Sequence, residues 1–271
     1  MGRIVIDNIT DMNLEHVFDC GQCFRWNKNE ENGYTGVAGG NACHVYLDED
    51  AGLLTLNASG GDENFWRAYF DLDTDYGAIK EELASREPKI RAAEEAGYGI
   101  RILNQDFYEV LISFIISQNN NIPRIKKCIE AICERYGDRI DFEGKEYYSF
   151  PKAEVIAKVP VDEIAELKLG YRSSYIVRAA RKYLEEGVPS DAEKVLDYYG
   201  VGPKVANCIK LFGLRRLDAF PIDTWVKKIM NDMYGFEEND IKGMQSFAEE
   251  RFGENGGIAQ QYLFNYYRNV K

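Results

Sequence analysis

The sequence predicts an α+β protein: a small N-terminal antiparallel sheet domain with flanking helices over residues 1–95, then an all-helical body over residues 96–271. Two observations carry this division. Up to Ala58, apolar residues alternate along short runs that glycine and aspartate interrupt. From Asn64 onward they recur at helical spacing, as in Phe65, Trp66, Tyr69 and Phe70. A length of 271 residues is enough for two domains, each with its own core.

In chain order, the runs 35–37, 43–47 and 53–57 are broken by Gly39-Gly40-Asn41 and by residues 48–52, the pattern of an antiparallel meander. Residues 4–26 are expected to add strands, with 20–26 as a turn entering one of them. In the body, Val110, Ile112, Phe114 and Ile115 continue the helical period. Breaks fall at Pro123, Pro151, Pro160, 187–189, 200–203, Pro221 and Gly256-Gly257. Residues 190–213 read as two helices joined by a tight hairpin. Ser190 with Glu193 forms a capping box for the first helix, and Tyr199-Gly-Val-Gly202 turns the chain into the second.

Composition narrows the function classes. A hydrophobic share of 45% suits a globular chain, and no apolar run approaches the roughly 18 residues of a membrane span. With no secretory pattern at the N-terminus either, the expectation is a cytoplasmic monomer, at the nucleoid if prokaryotic. Cys20 and Cys23 form a Cys-x-x-Cys. The only histidines are His16 and His44 and there is no four-cysteine cluster, so neither a zinc nor an iron-sulfur site is expected. The net charge of -12 argues against nucleic-acid binding if taken alone. Its distribution argues otherwise, since residues 124–127, 168–181 and 227–228 are locally basic.

Lys204 is the residue whose placement asks for chemistry. Gly200-Val-Gly-Pro-Lys204 fits a helix start, with Gly202 expected to take unusual backbone angles and Pro203 pre-set for the first helical position. Lys204 then lies at the positive end of the helix dipole, where a cation is disfavoured, and only a neutral amine is a nucleophile. The amides around Gly200 and Gly202 suit a phosphate, although a plain helix connection has the same glycines. Cys208, four residues on, shares the face of Lys204. Asp223 follows Phe220-Pro-Ile and is a natural N-cap; capping alone accounts for it as an isolated residue.

Gly200-Val-Gly-Pro-Lys204 with Phe220-Pro-Ile-Asp223 resembles the helix-hairpin-helix and following aspartate of base-excision DNA glycosylases that carry a catalytic lysine. Gly21-Gln-Cys-Phe-Arg-Trp26, Gly99-Ile-Arg-Ile-Leu-Asn-Gln-Asp106, Ser117-Gln-Asn-Asn-Asn-Ile-Pro-Arg124, Leu169-Gly-Tyr-Arg172 and Ala259-Gln-Gln-Tyr-Leu-Phe264 resemble, in order, the 8-oxoguanine DNA glycosylase/lyase family. The resemblance spans almost the whole chain. It implies that Lys204 attacks C1′ of the damaged nucleotide to form a Schiff base, with Asp223 as its electrostatic partner. Gly21 would accept the N7 hydrogen of 8-oxoguanine through its carbonyl, Gln260 would read the Watson-Crick edge, and Phe264 and Cys208 would cover the two faces of the base. Asn119 and Tyr171 match wedge residues that fill the gap left by an extruded base. Arg124 and Arg172 match arginines that grip the orphaned cytosine, and phosphate contact is their alternative.

The implied partner is double-stranded DNA containing 8-oxoguanine. No cofactor is implied beyond a monovalent cation at the hairpin carbonyls. A glycosylase for other damaged bases and a non-catalytic helix-hairpin-helix DNA-binding module are the alternatives. Trp225 stands where many relatives have a histidine near a DNA phosphate, and such departures point to a bacterial or archaeal branch.

Overall fold

The computed structural model describes residues 2–270. Its N-terminal part is a five-stranded antiparallel sheet of β1 (Gly2–Ile6), β2 (Trp26–Lys28), β3 (Tyr34–Ala38), β4 (Asn41–Asp48) and β5 (Leu53–Ala58), in the order β1-β5-β4-β3-β2. The register places Leu56 opposite both Ile4 and Val45, and Val45 opposite Tyr34, so one face is a continuous apolar row. That face, which includes Trp26, packs on Phe18, whose ring stacks on that of Trp26 at 4.5 Å. A helix, α1 (Leu14–Asp19), stands between β1 and β2, inside the stretch expected to add strands. Its buried Leu14, Val17 and Phe18 have helical spacing, and the Asn13 side chain accepts from the His16 amide as N-cap.

The remaining helices are α2 (Glu63–Tyr69), α3 (Tyr76–Arg86), α4 (Arg91–Ala96), α5 (Phe107–Ser117), α6 (Ile122–Tyr136), α7 (Ala153–Ile156), α8 (Val161–Ile164), α9 (Arg172–Glu186), α10 (Pro203–Gly213), α11 (Thr224–Tyr234), α12 (Ile241–Arg251) and α13 (Gly256–Val270). The α5 sequence is apolar on nearly every side, as a helix needs to be when neighbours surround it. It is the central helix, with α6, α9 and α10 packed around it. A second large core forms there; α3 contributes Tyr76 and Leu83 to it, α4 contributes Ala93, and the 3-10 turn between them (Pro88–Ile90) contributes Ile90.

The body is not wholly helical. Strands β6 (Arg139–Phe142) and β7 (Lys145–Tyr148) form a hairpin. Glu143 and Gly144, with φ of 47° and 74°, make the two-residue turn with both central residues in the left-handed region, which such hairpins favour. The hairpin leans on the N-terminal sheet, with Phe142 against Val37 and Ala42 and Glu143 paired to His44 at 3.2 Å.

Two buried polar side chains tie the sheet domain to the body. Gln22 donates to the carbonyls of Val17 (2.8 Å) and Arg101 (2.7 Å) and accepts from the Leu103 amide (2.9 Å). Arg101 donates to the carbonyls of Thr10, Asp11 and Asp71. The chain reaches this junction through Gly99, whose φ is 77°; a Cβ there would meet the Asn13 amide at 2.2 Å, so only glycine fits.

Candidate active site

The hairpin forms as expected in outline, with two corrections. Its first helix is a 3-10 turn over Ala192–Asp197, capped by Asp191 accepting from the Glu193 amide, and not a helix capped by Ser190. Aspartate one residue later wins because its carboxylate reaches that amide at 2.9 Å. The glycine requirement falls on Gly200, not on Gly202. Gly200 has φ of 82° and a Cβ there would strike the Tyr175 ring at 2.4 Å, whereas Gly202 has an ordinary φ of -92°. Gly202 caps α10 without a side-chain bond, which leaves the first amides of the helix open. The carbonyls of Tyr198 and Gly202 accept from the Val201 and Ala206 amides. Lys210 ties α10 back to Glu193 at 2.5 Å.

Residues from four distant stretches meet in one cleft of about 520 Å³. Gly21 comes from the turn after α1, Lys204 and Cys208 from α10, Asp223 from the start of α11, and Gln260 and Phe264 from α13. Phe24, Phe114, Phe212, Ile125 and Pro221 supply an apolar lining, and the Lys204 Nζ lies 6.0 Å from the centre of the Phe114 ring. Asp223 is the N-cap of α11: its Oδ1 alone accepts from the amides of Trp225 and Val226, both at 2.9 Å, and neither bond uses Oδ2. Cys208 is buried. Burial pushes its thiol up, the Lys204 ammonium opposes that rise, and Asp223 adds to it, so the sulfur meets the cleft as a neutral thiol. A larger cleft of about 840 Å³ between the sheet and α6 contains none of the expected site residues.

The other four expected residues lie outside the cleft wall, around the α5–α6 loop. Asn119 is exposed, with φ of 46°. Arg172 is buried and donates to the carbonyls of Gln118 and Asn119, while Tyr171 beside it is 50% exposed. Arg124 is exposed, and its side chain donates to the Lys168 carbonyl at 3.3 Å. The chain kinks at Lys168 and Gly170 before entering α9, which swings Tyr171 and Arg172 to this side.

Sequence reasoning missed Gln261, Arg268 and the aromatic floor of Phe24 and Phe114. Trp225, noted only as a departure, also lines the cleft, 43% exposed and edge-on to Tyr267. Phe114 carried a signal, because α5, apolar on nearly every side, must end against something. Cys20 and Cys23 are buried free thiols, and burial pushes Cys20 up to about 12. Among the described residues there is no group of three or more metal-ligating side chains.

A family model for the N-terminal domain of 8-oxoguanine DNA glycosylase matches residues 4–111, and one for HhH-GPD superfamily base excision DNA repair proteins matches residues 112–253. The chain is similar to MBOgg1, solved with a low-affinity DNA ligand: TM-score 0.93, 40% identity, 99% of this chain and 96% of that one. It is also similar to the Clostridium acetobutylicum 8-oxoguanine glycosylase/lyase, solved with double-stranded DNA containing cytosine opposite 8-oxoguanine: TM-score 0.91, 38% identity, 98% and 95% covered. The probable N-glycosylase/DNA lyase of Methanothermobacter thermautotrophicus is 32% identical over 203 residues, covering 64% of this chain and 65% of that relative.

Proposed function

Because the chain belongs to the 8-oxoguanine DNA glycosylase family of HhH-GPD base-excision repair proteins, we infer that it excises 8-oxoguanine opposite cytosine from double-stranded DNA and then cleaves the abasic strand. The observation that carries this reading is the meeting of Lys204, Asp223, Cys208, Gln260, Phe264 and Gly21 in one cleft. A binding module needs the hairpin but not a lysine and a carboxylate facing an apolar pocket beside it.

A base inside a duplex is out of reach, so the nucleotide turns out into the cleft. Asn119, at the exposed tip of its loop, and Tyr171 fill the gap it leaves. Arg172, buried beneath that loop, anchors it, and the exposed Arg124 meets the orphaned cytosine. The base lies between Phe264 and Cys208, a neutral thiol being the fitting contact for its face. The Gly21 carbonyl accepts the N7 hydrogen, which guanine lacks, and Gln260 pairs with the Watson-Crick edge.

Lys204 attacks C1′ as the free amine once its ammonium has given up a proton: an N–C1′ bond forms, the bond from C1′ to the base nitrogen breaks, and the base leaves with the electron pair and takes up that proton. Asp223 Oδ2 faces the positive charge that develops on the sugar. Opening of the sugar ring gives the Schiff base. Loss of a C2′ proton then expels the 3′ oxygen as its phosphate and nicks the strand. The substrate places this work in the cytoplasm, at the nucleoid in a prokaryote.

Borohydride reduction should trap a covalent complex on 8-oxoguanine:C duplex, and Lys204→Gln should abolish trapping and nicking while duplex binding persists. Assaying 8-oxoguanine paired in turn with C, T, A and G ranks the opposite bases. Binding with neither trapping nor release of any damaged base by the unmodified protein would leave only the non-catalytic module.

A further inference from the structure

Gln261 is buried, only 4% exposed, and lines the cleft beside Gln260 on α13. Its Nε2 donates to the Gln260 Oε1 at 2.7 Å. Its own Oε1 is buried and has no hydrogen-bond partner among the described residues. A buried acceptor left in this state carries its full desolvation penalty, and a built site normally has a use for it. An apolar side chain would fill the same wall without that penalty.

The bond between the two glutamines fixes which way the Gln260 amide points. Its Oε1 is held at the Gln261 end, and its Nε2 lies at the other. The Watson-Crick edge of 8-oxoguanine runs in the order O6 acceptor, N1–H donor, 2-amino donor. Nε2 of Gln260 matches O6, and Oε1, with its second lone pair, matches N1–H. The 2-amino group then falls beyond Oε1, at the end where Gln261 sits. We propose that Gln261 is a specificity residue: its orphaned Oε1 accepts from the 2-amino group of the extruded base, and its Nε2 holds Gln260 in register. This rests on the functional reading above and adds to it a preference for purines with a 2-amino group.

The test compares excision of 8-oxoguanine and of 8-oxohypoxanthine, which differs only in lacking the 2-amino group, each opposite cytosine under single-turnover conditions. The protein as it stands should prefer 8-oxoguanine by roughly tenfold, the size of one well-placed hydrogen bond. Gln261→Met, close in shape but without acceptor or donor, should lose that preference, chiefly through slower 8-oxoguanine excision. Incision of a preformed abasic duplex needs no base and should be unchanged, which shows that the variant is folded. An equal preference in variant and parent overturns the proposal alone. No excision of 8-oxoguanine by the parent overturns the functional reading as well.

Discussion

Asp223 meets two demands with one carboxylate, and the two can be separated. Asp223→Ala removes both cap bonds to α11 and should cost about 1 kcal/mol of stability, read by urea denaturation. Asp223→Asn keeps an equally good cap and removes only the charge, so its stability should stay close to the parent. Its single-turnover excision should still fall by roughly a hundredfold or more, the scale of losing one transition-state electrostatic partner. Parent-like rates in the asparagine variant would reduce Asp223 to a cap. At this scale the sequence was informative wherever spacing set the face: Lys204 with Cys208, and Gln260 with Phe264, are four apart and do share the cleft. Gln261 was not legible. It lies about 100° round the helix from Gln260, a position that pattern alone assigns to another face. The glycine of the hairpin was also misplaced, because the need for glycine comes from the Tyr175 ring, 25 residues earlier in the chain.

Elements long enough to show a period were legible, and short ones were not. β6 and β7, four residues each, sit inside helical sequence, and the Glu143-Gly144 turn between them lacks the asparagine or aspartate that marks such hairpins. α1 was hidden for the same reason. Where α4 packs on α13, length also conceals a charge. Glu94 is 4% exposed, its Oε1 has no partner among the described residues, and burial pushes its carboxyl up to about 7, with Arg91 and Lys80 opposing and Glu81 and Glu95 adding. From about pH 4.5 to 7 the folded chain holds a proton there that the unfolded chain releases. The unfolded state binds fewer protons, so stability falls as pH rises through this window and levels off above it. Glu94→Gln should therefore be more stable than the parent at pH 8, by on the order of 1–3 kcal/mol, and nearly equal to it near pH 4.5. Denaturation midpoints at the two pH values check this; an equal difference at both would assign the effect to packing.

On the scale of the whole molecule, the change of period near residue 60 exposed the two-part architecture, because a sheet and a helical body bury apolar residues at different spacings. What joins the parts was invisible, because Gln22 bonds to main-chain groups about 80 residues away, and a backbone carbonyl leaves no mark in sequence. This junction also positions the cleft, since Gln22 follows Gly21, the one cleft residue expected to read N7. Gln22→Ala would leave the Leu103 amide and the Val17 and Arg101 carbonyls without this partner, a loss of a few kcal/mol at roughly 1–3 per buried group. The two activities should respond unequally. Excision of 8-oxoguanine depends on where the Gly21 carbonyl points, whereas incision of a preformed abasic site depends on Lys204, carried by the other part of the fold. In the folded fraction of Gln22→Ala, excision should fall at least tenfold relative to abasic incision. If both fall only in proportion to unfolding, the junction stabilises the fold without aiming Gly21, and N7 is read from elsewhere.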